Sequence, residues 1–285
     1  MNNPGATPEP FDLLVRTRTV LLDALDALDE HRDSVIVVGA QAVYLHTGDA
    51  PVAIAEATKD ADVAIDTRGL GQDPTIDAAM RKARFEYNRE QPQPGAWVSA
   101  DGIPVDIMVP EALAGPGKPG KRSVVAPPHN KMAMRRSRGL EAAIVDHSEM
   151  TVPSLDPHDT RSTTALVAGP AALIVAKCHK ITERLESPSR LQDKDAHDVY
   201  RILVAVPTER LRASFAVLLV DEISSTVTSE AVDHLHELFA AGPDAIGSVM
   251  AGRTEEAVGD PEQVAVAISF LASDLVGVIR ATRGR

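Results

Sequence analysis

Apolar residues recur at helical spacing across residues 11–31, where Leu14, Leu21, Leu22, Leu25 and Leu28 share a face, and this predicts an opening helix. The next apolar run, VIVV from residue 35, is continuous and short. That pattern fits a strand covered on both faces, read here as residues 34–38. Gly39 ends the strand and opens a second helix, 39–46. A further strand is expected at 62–66. A helix is expected at 77–87, with Ile76, Met80, Ala83 and Tyr87 on one face. Residues 97–99 and 103–109 read as a hairpin about Asp101-Gly102. Segments 123–125 and 142–145 are expected as outer strands. Pro153, Pro157 and Pro170 mark a crossing, and from residue 171 the spacing is helical to the end. In the last helix, 261–280, Val264, Ile268, Leu271, Leu275 and Val278 form an amphipathic stripe suited to a core, with an oligomer contact as the alternative. The order gives an α/β (α+β) fold: a strand-bearing domain over 1–160 and a helical domain over 161–285. Residues 1–9, polar and proline-containing, are expected to be disordered. The chain shows no internal repeat.

Carboxylates interrupt this pattern at three places. Asp60 and Asp62 alternate with Ala61 and Val63 at the mouth of the second strand, so both project from one face. Adjacent carboxylates repel unless a cation lies between them, and hard divalent cations take such oxygens. Asp106 stands between Val105 and Ile107 in a later apolar strand and supplies a third acid. Gly39 permits close backbone approach, and the helix start after it offers free N–H groups suited to phosphate. Together these features suit Mg²⁺-dependent phosphoryl or nucleotidyl transfer.

The succession of strand, glycine turn, helix, Asp-x-Asp and later acid resembles the nucleotidyltransferase superfamily, the polymerase-beta-like fold, over residues 35–110. Within it, AKCHKITER and LQDKDAHDVYRIL resemble the AbiEii/MenT-type toxin branch, which places a helical Lys ahead of an R/K-D-x-x-D helix. Lys177, Lys194, Asp195 and Asp198 stand at those positions. The resemblance implies a mixed sheet flanked by helices, with the active site between it and the helical domain. It implies that Asp60, Asp62 and Asp106 hold Mg²⁺, and that Gly39, Ala40, Thr58 and Lys177 bind an NTP. Asp195 and Asp198 would orient Lys177 or a ribose. It also implies an RNA acceptor, plausibly a tRNA 3′ end, and an antitoxin partner. One departure is Ala40, which replaces the Ser or Gly of the family turn and removes a hydroxyl from the triphosphate contact. Small-molecule or protein acceptors and an inactive nucleotide-binding scaffold are the alternative readings. His179 with His197-Asp198 is also similar to the helical HD phosphohydrolases, a reading that leaves Asp60 and Asp62 unexplained.

Charge adds one further candidate. The chain carries a net charge of −12, which disfavours a generic nucleic-acid binder. Residues 111–138, however, hold seven Lys or Arg against Glu111 alone. Lys131, Arg135, Arg136 and Arg138 of this band are candidate RNA contacts; a solvated loop is the alternative. Cys178 is the only cysteine, which excludes an internal disulfide and fits a reducing cytoplasm. The N-terminus lacks the pattern of a secretory signal, and the apolar stretch 165–176 is too short to span a bilayer. A cytoplasmic protein with no membrane association is expected.

Overall fold

The structure is a computed structural model that describes residues 10–48, 50, 52, 58–90, 92–117 and 121–283. The expected disorder of residues 1–9 lies outside the described residues. The chain opens with α1 (Pro10–Ala27), followed by a short 3₁₀ turn that reaches Ser34. Next come β1 (Val35–Val38), α2 (Gly39–Thr47), β2 (Ala61–Ile65) and α3 (Ile76–Lys82). The strands β3 (Glu86–Tyr87), β4 (Ala96–Val98), β5 (Pro104–Pro110), β6 (Arg135–Ser137), β7 (His147–Pro153) and β8 (Ser162–Ala168) complete the sheet. The remainder is helical: α4 (Pro170–Leu185), α5 (Asp193–Ala205), α6 (Thr208–Leu218), α7 (Ser225–Leu235), α8 (Ile246–Arg253) and α9 (Pro261–Arg283).

The sheet is mixed, in the order β3-β4-β5-β2-β1-β8-β7, with β6 also paired to β5. β1 runs antiparallel to β2 and parallel to β8, while β2 runs parallel to β5. All four residues of β1 are buried, as its unbroken apolar run requires. The helices α1 and α2 pack against these central strands, so the core continues through Leu21, Val37, Val63 and Ile107. The expected mixed α/β sheet with a helical C-terminal part is therefore what the chain forms.

Two ties fix the helices relative to the sheet. The Asp146 carboxylate accepts from Ala172 N–H at 3.0 Å, which caps the start of α4 after its Pro170. Arg201, on α5 and 2% exposed, donates to the Thr47 carbonyl at 3.0 Å and the Val52 carbonyl at 2.7 Å. It thereby caps the end of α2. The expected core role of the last helix holds as well. By length and hydropathy Pro261–Thr282 could span a membrane. Ile268, Ala272 and Leu275 are nonetheless fully buried, and α9 packs on α6 and α8.

Several expected elements differ. Residues 142–144 lie in a 3₁₀ turn, Glu141–Ile144, that Val145 ends, rather than in an outer strand. Ser123 forms only an isolated bridge with Arg135. Tyr87 belongs to β3, because Arg84 takes a positive φ of 65° and ends the helical path. The proline-marked crossing contains the β7–β8 hairpin. The sheet thus extends to Ala168, beyond residue 160, and helices begin at Pro170.

Candidate active site

Strand register assembles the acids. Asp62 on β2 lies opposite Val38 on β1 and in register with Asp106 on the parallel β5, so two carboxylates stand side by side. Asp60 immediately precedes β2. Carboxylate oxygens of Asp60, Asp62 and Asp106 all lie within 4.8 Å of one another. Thr58 fixes Asp60, its hydroxyl donating to Asp60 Oδ1 at 2.6 Å. Thr58 is itself buried, and its carbonyl accepts from the Thr17 hydroxyl at 3.2 Å. It therefore acts behind the first acid instead of lining the cleft.

Gly39 closes the turn under Asp62. Its φ is +67°, and a Cβ there would lie 2.1 Å from Asp62 Oδ2. Both the backbone and the neighbouring carboxylate thus require glycine. Gly39→Ala should lower stability by about 1–3 kcal/mol and displace the Asp62 carboxylate. Urea unfolding checks the first effect, and loss of metal binding by the folded variant checks the second. A variant as stable as the parent would contradict this placement. Ala40 is buried beside the turn and leaves only its backbone as a phosphate contact.

The three acids titrate differently. Burial, reinforced by Asp60 and Asp106, pushes the Asp62 carboxyl up to about 7. Burial also raises Asp106; Arg135 opposes the rise and Asp60 adds to it. Burial would raise Asp60 too, but Lys194, whose Nζ lies 3.9 Å away, together with Lys180, Thr58 and Lys177, holds it below the usual carboxylate range. Clustered carboxylates that resist joint ionisation are a donor set that fits a hard divalent cation.

Facing the acids across a cleft of about 560 Å³ is the cationic side of α4. Lys177, Lys180 and Arg184 all line it. Behind them sits Asp195, 1% exposed, which accepts from Lys177 at 2.7 Å, Lys180 at 3.0 Å and Arg184 at 3.1 Å. Asp198 accepts from Lys177 at 2.5 Å. Burial would lower the Lys177 ammonium, but Asp195 and Asp198 hold it well above the usual lysine range. Neither Asp195 nor Asp198 lines the cleft, so their geometry suits orienting Lys177 and not contact with reacting atoms.

The basic band is built into the same cleft. Arg135 pairs with Asp106 at 2.8 Å. Arg136 donates to the carbonyls of Gly115 at 3.0 Å and Ser123 at 3.3 Å. Arg138 pairs with Glu230 at 2.7 Å and Glu111 at 3.2 Å. All three arginines line the cleft, as do Lys121 and Arg122. Their partners make them a fixed wall, not a solvated loop. Lys131 is exposed and does not line the cleft. Lys118 lies outside the described residues. The two histidines of the alternative phosphohydrolase motif have different partners: His179 donates to the Val227 carbonyl at 2.8 Å and His197 to Glu255 at 2.8 Å.

Sequence reasoning selected the three acids, Gly39, and Lys177 with its partners Asp195 and Asp198, but missed the cations that pair with the acids. Lys194 was noted only by resemblance, and nothing local signals its approach to Asp60. The Arg135–Asp106 pair depends on β6 lying beside β5, and RRS carries no apolar alternation to reveal that strand.

No family model matches the chain, and no curated protein matches it. Among solved structures, it is similar to one described as "Crystal structure of putative nucleotidyltransferase from H. pylori". The two share 10% identity with a TM-score of 0.30, over 94% of this chain and 97% of that one. The chemistry of the site accordingly rests on its own residues.

Proposed function

We propose that this protein is a Mg²⁺-dependent nucleotidyltransferase that moves an NMP group from an NTP to an acceptor hydroxyl. The observation that carries this reading is the cleft itself, with Asp60, Asp62 and Asp106 on one wall and Lys177, Lys180 and Arg184 on the other. Bound there, Mg²⁺ would offset charge on the triphosphate and lower the pKa of the attacking hydroxyl. Asp60, Asp62 and Asp106 would hold the ion, and Asp106 would assist removal of the hydroxyl proton. The cations of α4 hold the β and γ phosphates as pyrophosphate leaves. Backbone N–H groups of the Gly39-Ala40 turn add to that hold.

The acceptor we propose is RNA, at a tRNA 3′ end, modified by a cytoplasmic toxin that an antitoxin restrains. The cationic cleft wall supports an anionic acceptor, and the resemblance of the Lys177 and Lys194–Asp198 segments supports the toxin branch. Incubation with each labelled NTP, Mg²⁺ and either total RNA or small hydroxyl compounds identifies which acceptor takes the label. RNA docking also has a thermodynamic signature. Neutralising Lys121 and Arg138 at the cleft, as Lys121→Gln with Arg138→Gln, should weaken RNA binding. It should also flatten the slope of log affinity against log salt by about 0.7–0.9 per lost phosphate contact. An unchanged slope would move weight to a small-molecule acceptor.

A further inference from the structure

Arg135 is the cation that Asp106 holds in this structure. The guanidinium Nη1 lies 2.8 Å from Asp106 Oδ2, and the two side chains are 15% and 19% exposed. Its Nη2 lies 3.3 Å from the Met108 sulfur, so the group lies along the cleft side of β5 beside the acid triad. A glycine lets the backbone of Arg135 come this close to the sheet. Gly95 has a φ of +74°, and a Cβ there would come within 2.7 Å of Arg135 N and 3.1 Å of its Cγ. A hard divalent cation and this guanidinium compete for one carboxylate, because two positive charges at such separations repel strongly in a half-buried cleft. The pair is also accessible from the cleft, so the guanidinium can leave Asp106 without unfolding its strand.

We propose that Arg135 exchanges between Asp106 and the phosphates of the nucleotide as metal enters, so that metal and nucleotide each favour binding of the other. Without nucleotide, Arg135 competes with the metal for Asp106. With nucleotide, the guanidinium gains phosphate oxygens in bidentate geometry and frees the carboxylate. The coupling is reciprocal by linkage: whatever factor nucleotide adds to metal affinity, metal adds to nucleotide affinity. This inference rests on the nucleotidyltransferase reading, but its metal-only arm stands apart from it.

The test is calorimetric titration of Mn²⁺ into the parent, Arg135→Gln and Arg135→Lys, each alone and with α,β-methylene analogues of the four NTPs. Circular dichroism confirms that each variant is folded. Arg135→Lys serves as the conservative variant that keeps the competing charge. Arg135→Gln should bind Mn²⁺ alone about tenfold more tightly than the parent, since a charge in contact with the ligand is gone. The gain in Mn²⁺ affinity on adding nucleotide should shrink in Arg135→Gln and persist in Arg135→Lys. Unchanged or weaker Mn²⁺ binding by Arg135→Gln would overturn the exchange and make Arg135 a fixed support for Asp106. An undiminished nucleotide effect in that variant would overturn it too. If the analogues fail to bind the parent while Arg135→Gln still gains Mn²⁺ affinity, the nucleotide reading falls and the competition for Asp106 remains.

Discussion

Replacing Asp62 with asparagine should reduce nucleotide transfer by about a thousandfold or more, because a metal ligand contributes several kcal/mol to the transition state. Asp62 is the acid with a neighbour on either side, in register with Asp106 and within reach of Asp60. The same replacement should leave the metal-free protein at least as stable as the parent. An amide relieves repulsion among three clustered carboxylates and keeps nearly the same shape above Gly39. Asp60→Asn should also lose transfer but should lower stability slightly, because Lys194 and Lys180 favour the ionised Asp60 in the fold and the amide gives up that attraction. Steady-state transfer rates beside urea midpoints check both effects. Transfer retained in both variants would remove the metal assignment.

Lys177→Met should be severe for a different reason. Its ammonium is 5% exposed and sits between Asp195 and Asp198, themselves 1% and 4% exposed at their side chains. Removing it strands buried carboxylates, and a broken buried pair of this kind costs about 3–5 kcal/mol. Lys180→Met should cost about 1 kcal/mol or less, because Lys180 is 33% exposed and Asp195 keeps Lys177 and Arg184. The pH dependence has a definite sign. Burial would raise Asp195, but Lys177 and Lys180 hold it well below the usual carboxylate range. A carboxyl with a lowered folded-state pKa contributes stability that is fully present above its unfolded value near 4 and lost as pH falls below it. The stability gap between parent and Lys177→Met should therefore narrow in acid. Equal losses for Lys177→Met and Lys180→Met would contradict this account of the cluster.

Local signals explain what the sequence made legible. The VIVV run, Gly39 and the Asp60–Asp62 alternation each report their own structure within a few residues, and Asp106 stands out because its strand is otherwise apolar. Non-local pairing was not legible. β7 and β8 are joined through Pro153, Pro157 and a polar turn, so their seven paired positions left no clean alternation. The segment at 142–145 is apolar because it packs beneath α4, not because it extends a sheet. The basic band showed its charge but not its partners. Glu230, which holds Arg138, lies 92 residues further along the chain.

The most direct test of the central claim follows the fate of the phosphates. The purified protein is incubated with Mg²⁺, total RNA and an NTP labelled either at the α or at the γ phosphate, beside Asp62→Asn under the same conditions. The account predicts that α label becomes covalently joined to the acceptor while γ label leaves as pyrophosphate, and that Asp62→Asn does neither. Transfer of γ label to the acceptor would make the enzyme a phosphoryl transferase and contradict the proposed function. Equal α labelling by Asp62→Asn would remove the carboxylate cluster from the reaction.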